Sequence, residues 1–130
     1  MADFDFSFDP RYRRLLWLVG ASDHTSRIRV TEQTFSAWFG VCRVRTSLAN
    51  VAGVELTGPY QPLRAIGIRL GADRGLTFGS TPERGLCITF HRPVRGIEPF
   101  GLIRHPSLTV TPVDPLGLGQ ALKHLPAAEH

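Results

Sequence analysis

The sequence predicts a mainly β protein, an antiparallel roll or partly open barrel with a C-terminal capping helix. Three observations carry that prediction. Apolar residues alternate with polar ones at period two in successive short segments. Turn-forming clusters separate those segments, in a chain of 130 residues with thirteen glycines and ten prolines. Asp114-Pro115 then opens a stretch in which Leu118, Ala121, Leu122 and Leu125 recur at i, i+3, i+4 and i+7, the stripe of a docked helix. The length suits one domain with one core.

Phe4, Phe6 and Phe8 alternate with Asp5 and Ser7, so residues 1–12 form an N-terminal segment with an edge strand, its aromatic face inward. The domain proper runs over 13–126, with its helix at 115–125 and a disordered tail at 127–130. Arg13 to Val19 is apolar on both parities and fits either a strand covered on both sides or a turn and a half of buried helix. Ser26 to Thr31 is a strand with Ile28 and Val30 inward and Arg27 and Arg29 outward. Phe35, Ala37 and Phe39 continue on one face, with Ser36 and Trp38 on the other. Across Gly40 the parity flips, since Cys42 and Val44 are now inward and Arg43 and Arg45 outward. Gly40 is therefore a tight hairpin turn or a bulge.

Thr46 to Asn50 reads as a loop or a single helical turn. Val51 to Thr57 reads as a strand with Ala52, Val54 and Leu56 inward. Arg64 to Phe90, RAIGIRLGADRGLTFGSTPERGLCITF, then reads as a three-stranded meander turning at 71–75 and 81–85. The stretch HRPVRGIEPFGLIRHP is irregular and long for a connection inside a compact domain, and such loops are often functional. Leu108 and Val110 belong to a final strand. Seven to nine strands and one helix result.

The order of a Gly40 hairpin, TSLANVAGVEL, a meander and TVTPVDPLGLGQALKHL resembles the bacterial PH-like domains. The resemblance spans Ser26 to Leu125 and implies two roughly orthogonal antiparallel sheets with the C-terminal helix over their open corner. Some PH-like domains that bind phosphoinositides use a basic-x-basic pair on the second strand, and Arg43-Val44-Arg45 is similar to that pair. The preceding loop carries no Lys or Arg, which departs from the pattern. The fold by itself carries no activity.

The net charge of +4 is supplied almost wholly by arginine, with Lys123 the single lysine. Any anion contact is then made by forked guanidinium groups, which suit phosphate and carboxylate. The acidic opening MADFDFSFD lacks the basic-then-apolar pattern of a secretory signal. The longest apolar run, Leu15 to Val19, falls far short of the ~20 residues of a transmembrane helix. The chain therefore reads as cytoplasmic, or peripheral at a membrane. Cys42 and Cys87 lie among apolar strand residues and read as reduced and buried, with a disulfide between them left open.

Catalytic signatures are absent from the sequence. There is no Gly-rich phosphate loop, no G-x-S-x-G elbow, and no H-x-x-x-H or C-x-x-C spacing for a metal. Cys87 and His91 share a strand face but stand ~13 Å apart. Asp23-His24-Thr25 reads as a polar turn with an exposed histidine. Two basic groups remain as candidate binding residues. Arg27, Arg29, Arg43 and Arg45 line one outward face if their strands are neighbours. His91, Arg92, Arg95, Arg104 and His105 bracket the irregular loop. With no aromatics interleaved in these groups, nucleic acid is the disfavoured partner.

The strand-then-helix order is best explained by a non-catalytic binding module of PH-like type that docks a protein, a peptide or an anionic head group and carries no cofactor. The alternative is a small β-barrel oxidoreductase binding a flavin-like cofactor. It draws on TPERG after LTFGS, and on the later RHPSLTVT, which echo phosphate-contacting turns of split-barrel flavoproteins.

Overall fold

The computed structural model describes residues 2–18, 20–22, 24–40, 42–58, 66–70, 75–81, 84–95 and 104–122. Nine strands and two α-helices lie among them. The first sheet holds β1 (Ala2–Phe4), β2 (Ser26–Val30), β3 (Thr34–Phe39) and β4 (Cys42–Ser47) in consecutive order. The second holds β5 (Val51–Thr57), β6 (Gly67–Leu70), β7 (Leu76–Gly79), β8 (Gly85–Val94) and β9 (His105–Val110), in the order β5-β8-β9-β7-β6. The sheets do not close into a barrel. Helix α1 (Arg13–Leu18) lies between β1 and β2 in the chain, and α2 (Pro115–Ala121) follows β9.

The expected three-stranded meander is corrected by this order. β6 and β7 form the hairpin, but β9 lies between β7 and β8, antiparallel to β8 and parallel to β7. Sequence alternation gives each strand its buried face and leaves its neighbours unspecified. β9 reads as a central strand because Leu108 and Val110 are wholly buried, and His105 with them. The stretch after Phe90 is also more regular than its prolines suggest. β8 continues to Val94, which pairs with His105 across a register shift, so Pro93 sits near a strand end.

In β5 the inward set is corrected in part: Val54 packs against the core as expected, but its two companions do not. Val51 is buried, Ala52 is exposed, and Leu56 is half exposed. A bulge between Val51 and Gly53 shifts the parity, and β5 is an edge strand with solvent beside it. Arg13 to Leu18 is helical, and only Leu16 of α1 is buried, so the expectation of a fully buried element does not hold. Gly40, at φ 62°, is the hairpin turn that brings Phe39 opposite Cys42. Leu48–Asn50 is a single 3-10 turn crossing from β4 to β5.

The core lies between the sheets. Phe39 of β3 stacks on Phe78 of β7 at 5.4 Å between ring centroids, and Phe6 packs on Phe39 at 5.0 Å. Such pairs contribute about 0.5–1.5 kcal/mol beyond the area they bury. The N-terminal segment ties both sheets together. β1 pairs with β2, while the Ser7 amide donates to Thr111 O and the Asp9 amide to Ser80 O, at 2.9 and 3.0 Å. The buried Ser80 hydroxyl donates to Ser7 O at 2.6 Å and lies 2.9 Å from the Thr111 hydroxyl. Hydroxyls buried here are satisfied by one another and by backbone.

At the far end Asp114 caps α2, its carboxylate accepting the Gly117 amide at 3.0 Å. Leu118 and Leu122 are buried against the sheet. Leu125 and Pro126, expected to complete the helix, lie outside the described residues, as do the turns at 71–74 and 82–83 and the segment 96–103.

Candidate functional site

Strand register assembles the outer face of the first sheet. β3 is central, flanked by β2 and β4, so each outward residue of β3 has an outward neighbour on either side. Trp38 lies opposite Arg27 on β2 and Arg43 on β4. Ser36 lies opposite Arg29 and Arg45, and Arg29 in turn faces Asp3 of β1. Adjacent strands are ~4.8 Å apart, so Arg27 and Arg43 stand about 10 Å from each other across the half-buried indole.

The four arginines are not equivalent. Arg29 forms a two-pronged ion pair with Asp3, at 2.8 and 3.4 Å. That hydrogen bond holds the Asp3 carboxyl below its usual range and raises the Arg29 guanidinium. Arg27, Arg43 and Arg45 are exposed and make no ion pair among the described residues. Beside them opens a polar cleft of about 370 Å³, lined by His24, Thr25, Ser26, Arg27, Arg29, Trp38 and Gly40. The hydroxyl of Ser26, which shares the inward face of β2 with Ile28 and Val30, is buried with no hydrogen-bond partner among the described residues. The expected polar turn is present: the Ser22 amide donates to the Thr25 hydroxyl at 2.9 Å, and His24 is exposed. Asp23 lies outside the described residues.

The second predicted cluster lies at one end of the β8–β9 pair, where Val94 pairs with His105 and Arg95 and Arg104 flank that pair. His91 and Arg92 belong to β8 and Arg95 follows it, all exposed, while Arg104 is exposed just before β9. His105 is fully buried, because it is the first residue of a strand that runs through the middle of the second sheet. Asn50 fixes the Arg92 backbone, accepting its amide at 2.8 Å and donating to its carbonyl at 2.9 Å. The segment RHPSLTVT, which suggested a phosphate-contacting turn, forms β9 and the residue on either side of it.

Both cysteines are free, Cys42 buried and Cys87 half-buried rather than buried. Burial pushes the Cys42 thiol up, away from the thiolate that nucleophilic chemistry needs. Among the described residues no cluster of three or more His, Cys, Asp or Glu could hold a metal ion. Among them, too, no helix is long and apolar enough to cross a membrane.

Sequence reasoning missed the place of Trp38. It separated aromatic from basic residues because they are not neighbours along the chain, whereas pairing sets an indole between two guanidinium groups. The signal was available: a two-residue hairpin at Gly40 dictates Phe39 opposite Cys42 and hence Trp38 opposite Arg43. Comparison with protein-family models, curated proteins and solved structures finds no match, so the reading of this face rests on its own geometry.

Proposed function

We propose that the protein is a non-catalytic binding module that holds an anionic group, phosphate or carboxylate, on the outer face of its first sheet. The observation that carries this reading is the cross-strand row Arg27–Trp38–Arg43. Two guanidinium forks about 10 Å apart suit an anion with several oxygens, and the indole supplies a flat apolar floor. Arg45 extends the positive field along β4. Arg29 has a secondary role because Asp3 already occupies its fork. Two sheets and a terminal helix accord with the PH-like element order, while β9 between β7 and β8 departs from a consecutive strand run.

Isothermal titration with inositol hexakisphosphate at low salt tests the proposal. Binding is expected, weakening as salt rises. Arg27→Ala/Arg43→Ala is expected to reduce affinity about thirtyfold, from roughly 1 kcal/mol for each charge-assisted contact on an exposed face. Binding that ignores this pair and is lost in Arg92→Ala/Arg95→Ala would refute the assignment.

A further inference from the structure

We infer that α1 is an interfacial wedge that seats the protein on an anionic lipid surface. Its sequence, RRLLWL, is held to the core by one side chain, Leu16. Leu15, Trp17 and Leu18 remain 56, 72 and 78% exposed. Three large apolar side chains facing water on one short helix form the kind of contiguous patch that marks a contact surface. They border an apolar cleft of about 790 Å³ that Phe8 also lines.

The charge around the patch selects the occupant. Arg13 and Arg14 stand at its rim, and none of the described residues lining the cleft is acidic. A symmetric contact between two copies brings the same patch together and sets these arginines against their own equivalents. An anionic leaflet offers the opposite charge to every one of them, with each basic residue near its surface strengthening binding about fivefold. The apolar residues suit the depth of the headgroup boundary, where an indole is favourably placed. The helix is far too short to cross a bilayer, so it lies in the interface.

The wedge needs α1 and not the β2–β4 face, so it stands or falls separately from the anion-binding proposal. The two surfaces adjoin all the same, since His24 borders both clefts.

The chain has two tryptophans, which allows each surface its own reporter. Trp38→Phe leaves Trp17 as the sole tryptophan, excited selectively over tyrosine at the red edge. With vesicles of equimolar phosphatidylcholine and phosphatidylglycerol, its emission is expected to shift to the blue and the protein to co-sediment. Pure phosphatidylcholine vesicles are expected to give neither. Leu15→Ser/Leu18→Ser is expected to cut the bound fraction at least tenfold, and Arg14→Gln about fivefold. These side chains are exposed, so the fold tolerates the changes. Trp17 emission that is unmoved by anionic vesicles would overturn the inference. A dimer in solution that Leu15→Ser/Leu18→Ser dissociates would also overturn it, by assigning the patch to a second copy.

Discussion

At Gly117 a β-carbon would fall on the carboxylate of Asp114, the group that caps α2. Helix propensity alone favours alanine there by up to about 1 kcal/mol. To admit the methyl group Asp114 has to turn away, and the lost cap costs about the same. Gly117→Ala is therefore expected to leave stability nearly unchanged. In an Asp114→Ala background the same substitution is expected to stabilise by about 0.5–1 kcal/mol. Chemical denaturation of the wild type and the three variants checks this, and an equal gain in both backgrounds would contradict it.

Asp3 offers a second test at the same scale. Its carboxylate occupies the Arg29 fork, so Asp3→Asn is expected to free that guanidinium and to raise the affinity for inositol hexakisphosphate. An unchanged or weaker affinity would separate Arg29 from the site. Because the folded state depresses the Asp3 pKa, the pair stabilises the fold above the ordinary carboxyl value of 3.8. That contribution is lost as pH falls through the lowered value. Both partners are exposed, so the contribution is small.

Among the elements, α2 depends on docking. It spans seven residues, two of them glycine, and an isolated helix of that length is unstable in water. Leu118 and Leu122 anchor it. Leu122→Ala is expected to cost about 2–5 kcal/mol in denaturant unfolding, the range for a buried leucine. A loss below about 0.5 kcal/mol, the level of an exposed site, would mean the helix is not docked. The helix was legible from the sequence because its cap, its proline and its leucine stripe are all local.

Strands β2, β3 and β4 were legible for a similar reason, since alternation reports which face is buried. The place of β9 was not. Parallel pairing with β7 depends on contacts between residues more than thirty positions apart, Leu76 with Leu108 for one, and no local pattern encodes such a partner. α1 was ambiguous because its apolar residues lie on all sides, and the structure leaves three of them outside.

Over the whole molecule, the N-terminal segment is the seam. Its first strand completes one sheet, and Asp5, Ser7 and Asp9 hydrogen-bond to Val113, Thr111 and Ser80, just past the ends of β9 and β7 in the other. The first sheet is thereby clamped with its inward phenylalanines on the second, and its outward face is left to solvent. Of the candidate residues, the outward direction of Arg27, Arg29, Arg43 and Arg45 was readable from alternation. The full pairing, Arg27 and Arg43 across Trp38 and Arg29 and Arg45 across Ser36, came with the register, as did the burial of His105.

The central claim is that this register makes an anion site on β2–β4. Its most direct test is an amide and indole NMR titration of the intact protein with inositol hexakisphosphate. Shifts are expected at Arg27, Trp38 including its indole N–H, and Arg43, with the resonances of His91, Arg92, Arg95 and Arg104 unmoved. A titration that leaves the Trp38 indole in place while those of β8 and Arg104 move would contradict the account.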